Sequence, residues 1–375
     1  MIFLILLCCF LKLYPSKIYG YVVDANPPFA SAVLVEAETG TVLFSYKPTL
    51  QRSPASTQKM LLSKVAMDLL KEKEFSLEDS VIISARAAGM GGSQVFLAHN
   101  EVFTLRQLME AVIIPSANDA CVAVAEHMGG TVENFVQKMN DDAQKLGLKN
   151  THCVNVHGLD DTPNHERNLT TASDLATIAR SLIKHPEILE WGSVRYKPFR
   201  DGHFMLYNTN NLLGKYKGLD GIKTGYTQRA GSCLVATALQ KDFRLISVIL
   251  GAKSEKSREK ETRKLLDWGF SQFTRVVIAE KDELISNKIL VDWGITPNIE
   301  TKLSTGFVAI LNSQDKTALK RTVSLPDSIE APIKLGAQLG FLQVSINDSS
   351  LARIPIVANR PVERMGYWEK FISFF

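Results

Sequence analysis

Apolar residues at helical spacing define the most regular segment in the first part of the chain. From Met60 to Leu70 they recur three and four positions apart, so they share one face of a helix. Ser53-Pro54 precedes this run, and a hydroxyl followed by proline is typical of a helix start. The pattern predicts a helix whose first turn holds Ser56, with Lys59 one turn later on the same side. A serine beside a lysine at a positive helix end can act as a nucleophile, although such pairs also occur by chance.

Strand-like and helical runs surround this helix in a defined order. Residues 32–37 and 41–46 are β-rich and are joined by a short turn, which predicts a hairpin. Helical runs follow the central helix, then three strand-like runs, and then a helix that ends at Gly269. These helices are predicted over 104–112, 120–127, 131–146, 172–183 and 258–268, and the strands over 219–226, 233–238 and 245–251. The order predicts an α/β domain over residues 21–272, in which a mixed sheet is flanked by helices and carries an all-helical insertion.

The pattern changes after Phe270, where helical periodicity disappears. Short β-rich runs are separated by Gly, Pro, Asn and Asp, which is typical of a small β-sandwich. These runs are 276–278, 289–291, 308–311, 333–335, 342–344 and 354–357. We therefore predict a second, all-β domain over residues 273–362.

The two ends of the chain suggest export and contact with a membrane. Residues 2–11 are apolar but too few to span a bilayer, and small polar residues follow, so residues 1–20 are predicted to be a signal peptide. No basic residue precedes the run, which leaves an uncleaved anchor as the alternative. Residues 363–375 predict an amphipathic helix with an aromatic face on a membrane surface, the alternative being a helix docked on the sandwich.

Composition narrows the possible functions. The 375 residues are 45% hydrophobic and 22% charged with a formal net charge of +4, which fits two globular domains but is too small a charge for a nucleic-acid-binding protein of this length. Cys121, Cys153 and Cys233 follow the leader, and their odd number and wide spacing do not fit a disulfide framework. Cys121 and Cys233 stand in apolar runs, which predicts that both are buried. His152, His157 and His165 lack zinc-ligand spacing, so neither a metal site nor a cofactor is predicted.

Two further motifs give the Ser56-x-x-Lys59 pair a chemical context. Ser116-Ala117-Asn118 stands between two predicted helices, and Lys223-Thr224-Gly225 stands on a predicted strand. Alone, the first could be a helix cap and the second a strand end. A closely similar set, in the same order and settings, characterises serine enzymes that react with penicillin. The combination predicts a nucleophilic serine enzyme.

With these motifs the chain resembles a known family, the serine D-alanyl-D-alanine carboxypeptidases or low-molecular-mass penicillin-binding proteins of the DacA type. The resemblance runs from about residue 28 to the end and includes several further signature segments. They are Leu146–His152, Asn155–Leu159, Asp220–Thr227, Leu265–Phe270 and Ala331–Ile333. It implies a penicillin-binding/β-lactamase-like catalytic domain followed by a β-sandwich, at the periplasmic face of the cytoplasmic membrane.

The resemblance also implies roles for the catalytic residues. Ser56 would attack a terminal D-Ala-D-Ala bond of a peptidoglycan stem peptide and form an acyl-enzyme. Lys59 would be the base and must be neutral, although lysine has an ordinary pKa of about 10.4. Burial or a second cation would lower that pKa, and Lys223 is the candidate cation. By resemblance, Ser116 would relay a proton to the leaving group, and Asn118 would bind Lys59 and the substrate amide.

The remaining predicted residues would bind substrate. Lys223, Thr224 and Arg258 would hold its terminal carboxylate, although Arg258 could equally be a surface residue of its charged helix. Gly225 belongs to the same strand motif, and the backbone amides of Ser56 and Tyr226 would stabilise the oxyanion.

Other functions of the same fold remain open from the residues. A β-lactamase would turn penicillin over quickly, whereas a carboxypeptidase would keep a long-lived covalent adduct. A transpeptidase or endopeptidase differs only in the acceptor or the peptide bond used, and a cell-wall-binding scaffold would leave the site idle. Residues 166–170 resemble the loop of class A β-lactamases that activates water, but a threonine stands where that loop has asparagine, so we interpret the likeness as coincidence.

Overall fold

The computed structural model describes residues 21, 25–160 and 166–372. The chain divides into two compact units between Gly269 and Phe270. The predicted signal peptide lies outside the described residues, as do His165 and residues 373–375 of the predicted tail.

The first unit combines helices with a β-sheet. Its helices are α1 Lys59–Lys71, α2 Ala85–Ala88, α3 Leu105–Ile113, α4 Asn118–Gly129, α5 Val132–Lys145, α6 Ala172–Leu182, α7 Pro186–Ser193 and α8 Glu255–Gln272. Its strands are β1 Ser31–Glu36, β2 Val42–Tyr46, β3 Ser80–Ile82, β4 Val102–Thr104, β5 Tyr196–Phe199, β6 Phe204–Tyr207, β7 Leu219–Thr227, β8 Gly231–Gln240 and β9 Phe243–Ala252. A 3-10 turn, Ala55–Gln58, leads directly into α1.

Five strands form the main sheet, in the order β2-β1-β9-β8-β7. The α/β class is confirmed, but the pairings in this sheet are antiparallel, whereas a mixed sheet was predicted. The reason is the connections: β1–β2 and β7-β8-β9 are joined by tight turns, which link antiparallel neighbours. The helical insertion separates β2 from β7, which lie at opposite edges, so it makes no parallel crossover.

Helix α1 lies inside the first unit. It packs against α3, α4, α5 and α6, and its residues from Lys59 to Met67 are all buried. A helix enclosed on several sides buries its polar positions as well as its apolar ones. Lys59, at the start of α1, therefore loses contact with water because of how the helices pack.

Strand β4 pairs with β3, and Ile83 and Glu101 continue that pairing. Other local features were not predicted or differ from the sequence predictions. Helix α7 and the β5–β6 hairpin were not predicted. Helix α8 continues past Gly269 to Gln272, because Gly269 is packed rather than terminal: a Cβ there would come within 2.7 Å of Leu34 and Leu245.

The second unit is β-rich, as predicted. Its elements are β10 Phe273–Ala279, β11 Leu284–Asp292, β12 Asn298–Leu303, β13 Phe307–Asn312, α9 Ser313–Thr317, β14 Leu319–Ser324, β15 Ser328–Glu330, β16 Gln338–Ile346, β17 Ser349–Ala358 and α10 Tyr367–Ile372. Strands β10 and β13 form one sheet, and a second has the order β14-β16-β17-β12-β11-β15. The run predicted at 333–335 contributes only an isolated bridge from Ile333 to Val362. None of the helices in the described part of the chain is long and apolar enough to cross a membrane.

Candidate active site

The turn before α1 holds Ser56 in a constrained position. Ala55 has a φ of +46°, in the left-handed region that non-glycine residues seldom occupy. Ala55 and Thr57 are fully buried, whereas Ser56 is partly exposed. The Thr57 hydroxyl donates to Pro54 O at 2.6 Å, and the Gln58 side chain donates to Asn155 O. The turn therefore leaves Ser56 accessible, while the side chains of Thr57 and Gln58 anchor it.

Ser53 does not cap the helix, contrary to the prediction. Its hydroxyl donates instead to Asp160 Oδ1 at 2.5 Å, and no side-chain cap bond is found at the start of the turn. A carboxylate distant in sequence competes successfully for the hydroxyl, because hydrogen bonds to charged groups are the stronger ones.

Lys59 joins the first two sequence motifs. Its Nζ donates to the backbone oxygen of Ser116 and, at 2.7 Å, to Asn118 Oδ1, and it lies 3.1 Å from Ser116 Oγ. The side chain is fully buried. Burial lowers the pKa of Lys59 from its ordinary value, against the opposing effects of Cys121 and Asp119.

The contacts of Lys59 suit either protonation state of its amine. A neutral amine has two N–H donors and one lone pair. The Ser116 carbonyl and Asn118 Oδ1 can only accept, whereas the Ser116 hydroxyl can also donate to the lone pair. A protonated amine could instead donate to all three oxygens. The pocket can thus support an amine that gains and loses a proton.

A loop preceding β4 orients the Ser116-Ala117-Asn118 motif. The Asn118 side-chain amide donates to Gly91 O at 2.7 Å, and the Asn118 backbone N–H donates to Ser93 O at 2.7 Å. Gly92 has a φ of +80°, and a Cβ there would lie 2.7 Å from Asn118 Nδ2. The glycine at position 92 therefore permits this segment to approach Asn118 closely. Ser116 itself has a φ of +68°, which no sequence signal indicated.

The Asp119 side chain holds this loop through hydrogen bonds to the loop backbone. The side chain is buried, and its carboxylate accepts from the backbone amides of Val95 and Leu97 at 3.1 Å each. Asp119 directly follows the Ser116-Ala117-Asn118 motif, but no role was predicted for it.

Strand β7 brings the third motif against the nucleophile turn. A Cβ on Gly225 would lie 3.0 Å from the backbone nitrogens of Ser56 and Thr57, so a larger residue would push the turn away. The Thr224 hydroxyl donates to Thr209 Oγ1 at 2.6 Å, and Tyr226 is 65% exposed. Thr209 is a contact that sequence analysis missed. The three predicted motifs therefore meet around Ser56.

Lys223 is also buried, with 1% of its surface exposed, and its Nζ donates to Thr224 O at 3.3 Å. Burial lowers its pKa well below the ordinary value, and the neighbouring charges of Lys59 and Arg258 lower it further. Lys223 was predicted to lower the pKa of Lys59. In the structure the main cause of the lowered pKa of Lys59 is its own burial. The repulsion between the two amines instead lowers the pKa of Lys223.

Arg258 is not a surface residue, which was one of the two interpretations of its helix. It is 2% exposed, and its guanidinium nitrogens lie 3.9 Å from Glu259 and 4.0 Å from Glu255, which is long for an ion pair. Among the described residues, its Nε has no hydrogen-bond partner. A buried guanidinium with weak partners can bind an anion.

The segment from Asn155 to Asp160 packs on the outside of the nucleophile turn. Gly158 has a φ of +86°, and a Cβ there would come within 2.0 Å of Ala55 O. Asn155 and Asn168 both donate to Leu159 O, at 3.0 and 3.1 Å. Asn168 belongs to the stretch that resembles a β-lactamase loop, and in this structure it stabilises the 155–160 segment.

His157 lies in this segment and is mostly buried. Burial, followed by the nearby charges of Lys59 and Arg86, lowers its pKa to about 4. Its Nδ1 accepts from the Leu159 backbone N–H at 3.2 Å, so in the neutral ring the proton lies on Nε2.

The lowered pKa of His157 predicts acid-dependent stability. The unfolded state, with a pKa near 6.5, binds more protons than the folded state between about pH 6.5 and pH 4, so the free energy of unfolding falls as pH decreases through that window. At about 1.4 kcal/mol per pH unit the loss reaches up to about 3 kcal/mol. His157→Asn keeps an acceptor for Leu159 without titrating there. Urea unfolding at pH 7 and pH 4.5 should therefore show a smaller acid loss in the variant; equal losses in both proteins would contradict the assignment.

Metal-ligating residues do not assemble in the described part of the chain, where no group of three or more His, Cys, Asp or Glu could hold a metal ion. His152 is exposed, and His165 lies outside the described residues. The three cysteines after the leader are buried and free, which confirms the burial predicted for Cys121 and Cys233.

Comparison with known proteins agrees with this geometry. Residues 25–254 match the family described as D-alanyl-D-alanine carboxypeptidase, and residues 273–364 match the domain described as penicillin-binding protein 5, C-terminal domain. The D-alanyl-D-alanine carboxypeptidase DacF of Bacillus subtilis is 36% identical over 342 residues, covering 90% of this chain and 86% of that protein.

Two solved structures extend the comparison. The structure of penicillin-binding protein 5 from Haemophilus influenzae has a TM-score of 0.77 at 31% identity and covers 92% of this chain and 100% of its own. The ampicillin-bound form of penicillin-binding protein D2 from Listeria monocytogenes has a TM-score of 0.60 at 29% identity, covering 66% and 99%. The predicted penicillin-binding fold is confirmed, and the chain belongs to the D-alanyl-D-alanine carboxypeptidase family.

Proposed function

We propose that this D-alanyl-D-alanine carboxypeptidase removes the terminal D-alanine of peptidoglycan stem pentapeptides through an acyl-enzyme on Ser56. The observation that carries the proposal is the buried amine of Lys59, three residues after a partly exposed serine and in contact with Ser116 and Asn118. A neutral amine beside a serine hydroxyl is the pairing that nucleophilic catalysis requires.

In the first half-reaction the amine of Lys59 takes the proton of Ser56 as its oxygen attacks the carbonyl carbon of the D-Ala-D-Ala bond. The tetrahedral intermediate then collapses, the C–N bond breaks, and the Ser116 hydroxyl passes a proton to the departing amine while it receives one from Lys59. D-Alanine leaves and the ester on Ser56 remains. Water then attacks the ester with Lys59 again as base, which releases the shortened peptide and restores Ser56.

The backbone N–H groups of Ser56 and Tyr226 would stabilise the oxyanion. The close approach of Gly225 to Ser56 N supports this role, because it brings strand β7 directly against the nucleophile turn. Loss of one such donor typically costs about 3–4 kcal/mol in the transition state.

Lys223, Thr224 and Arg258 would bind the terminal carboxylate of the substrate. Both basic side chains are buried, and Arg258 has only long ion pairs to Glu255 and Glu259, which supports this assignment. An incoming carboxylate favours the charged form of Lys223, so its lowered pKa should rise when substrate binds. Asn118 would orient the substrate amide by exchanging one of its present side-chain hydrogen bonds for a hydrogen bond to the peptide.

Arg258→Gln should raise KM for a peptide ending in D-Ala-D-Ala by roughly 10- to 100-fold, since a hydrogen bond to a charged group contributes about 1.5–3 kcal/mol. The same peptide with a C-terminal carboxamide should be affected much less, because it lacks the negative charge. Arg263→Gln, on the partly exposed side of the same helix, is the matched control. Equal losses on carboxylate and carboxamide peptides would remove Arg258 from the carboxylate site.

The proposal is tested by comparing penicillin with the peptide. The Listeria penicillin-binding protein D2 was solved in its ampicillin-bound form, and we expect penicillins to acylate Ser56 here as well. Mass spectrometry should show a long-lived adduct, while D-alanine is released from a D-Ala-D-Ala peptide. Rapid loss of the adduct without D-alanine release would indicate a β-lactamase. D-Alanine release accompanied by joining to an added amine would indicate a transpeptidase, and cleavage of cross-linked dimers without release from the pentapeptide an endopeptidase.

We place the protein at the periplasmic face of the cytoplasmic membrane, exported by residues 1–20 and attached by residues 363–375. Exposed Tyr367 and Trp368 at the start of α10 support this position. Removal of residues 363–375 should release the protein from membranes and leave peptide hydrolysis unchanged. If the truncated protein stays bound, the leader is the anchor.

A further inference from the structure

The carboxylate of Asp160 joins two segments that are far apart in the chain. Its Oδ1 accepts from the Ser53 hydroxyl at 2.5 Å, and its Oδ2 accepts from the Thr227 hydroxyl. Each oxygen therefore holds one hydroxyl, and the side chain bridges between them. Neither Ser53 nor Asp160 belongs to the predicted catalytic set.

Both ends of this bridge lie within three residues of a proposed oxyanion donor in the sequence. Ser53 is three residues before Ser56, in the segment that enters the nucleophile turn. Thr227 directly follows Tyr226 at the end of β7. The two amides belong to different elements, so their separation depends on what holds those elements together.

The residues directly before Asp160 are held by several contacts. The Leu159 oxygen beside it accepts from two asparagine side chains, and Gly158 lies directly against Ala55 O. The Thr227 hydroxyl also accepts from the Ala230 N–H at 3.0 Å in the β7–β8 turn. The residues before Asp160 and the Thr227 hydroxyl are thus each held by further contacts.

The contact between the turn and β7 is tight in one direction only. At Gly225 the two backbones already lie close together, since a Cβ built there would be 3.0 Å from Ser56 N. That steric contact limits approach but does not prevent separation. A bridge of two charge-assisted hydrogen bonds resists separation.

We infer that Asp160 is a positioning residue that holds the Ser56 and Tyr226 amides at the separation the oxyanion requires. The inference rests on the proposed acyl-enzyme mechanism and adds a residue that touches neither substrate nor reacting atoms. A displacement of about 1 Å at such a site can cost on the order of 100-fold in rate.

The experiment compares Asp160→Ala and Asp160→Asn with the wild type and with Asp220→Asn. Asp220 lies on β7, the strand that ends at Thr227, and is also half-buried, but its carboxylate pairs with Arg244 and does not reach the nucleophile turn. Three quantities are measured: the rate of acylation by a labelled penicillin, the affinity for a peptide boronic acid that forms a tetrahedral adduct on serine, and thermal stability.

Asp160→Ala should acylate about 10- to 100-fold more slowly and bind the boronic acid more weakly by a similar factor. Asp160→Asn keeps one acceptor oxygen and should lose less. Asp220→Asn should lose stability but keep its acylation rate within about twofold. Peptide binding without reaction, measured with Ser56→Ala as background, should be unchanged by Asp160→Ala, because ground-state binding does not use the oxyanion donors.

Acylation by Asp160→Ala within twofold of the wild type would overturn the inference. An equal loss of ground-state peptide binding would overturn it as well, since that outcome indicates general disruption of the pocket. If Asp160→Ala does not fold, Ser53→Ala breaks the same bridge from the other end and must show the same selective loss. Survival of acylation in Ser56→Ala would instead refute the proposed mechanism, so the two failures are distinguishable.

Discussion

Ser56→Ala is expected to lower D-alanine release and penicillin acylation by roughly 10⁴-fold or more. Alanine removes the only atom that forms the ester, and the other parts of a catalytic serine site contribute little without it. The turn should keep its shape, because its hydrogen bonds come from Thr57 and Gln58 rather than from Ser56. The protein should therefore stay folded and still bind the peptide.

The matched control is Ser63→Ala in the same helix. Ser63 is buried, and among the described residues its hydroxyl has no hydrogen-bond partner, so its removal should change neither stability nor rate substantially. Mass spectrometry of the penicillin adduct separates the two variants directly. An adduct on Ser56→Ala at the wild-type rate would mean that another residue is the nucleophile.

Replacing Lys59 should have the next largest effect, and Arg and Met test different properties of the amine. Lys59→Arg keeps a cation that does not lose its proton, and Lys59→Met keeps bulk without any base. Both should acylate on the order of 10³-fold more slowly, because general base catalysis contributes about 10²- to 10⁴-fold. Lys64→Met is the control: Lys64 is a buried lysine of the same helix that pairs with Asp68 and Asp142, so its loss should lower stability and spare the chemistry.

The pH dependence of acylation follows from the same group. The base works when neutral, so the rate should fall as pH decreases through the pKa of Lys59. Because burial lowers that pKa, the acid limb should lie below the range of an exposed lysine, whose pKa is about 10.4. Stopped-flow measurement of the rate of acylation by a penicillin, over a range of pH, locates this acid limb. Wild-type acylation by Lys59→Arg would show that no neutral amine is needed at this position.

Much of the fold was predictable from local patterns. The helical spacing around Leu61 and Leu62, the early hairpin and the three consecutive strands were all found where predicted. The β5–β6 hairpin was missed. It is a short two-stranded hairpin at the surface, where tertiary contacts outweigh intrinsic strand preference. Gly269 was misjudged for the same reason, since its helix continues because the glycine fits between Leu34 and Leu245.

The sequence by itself determined which chemical groups are available and roughly where they stand: a serine and a lysine at a helix start, a second serine between helices, and a second lysine on a strand. Helical spacing, turn residues and motif order depend on neighbours in the chain, so they can be read from it. Only the tertiary structure decided that Lys59 loses water on every side, that Arg258 is buried, and that Ser53 binds Asp160 instead of capping its helix. These outcomes depend on residues that are distant in sequence and come together only when α1 is enclosed and β7 packs against the nucleophile turn. Burial and hydrogen-bond partners are therefore set by tertiary packing.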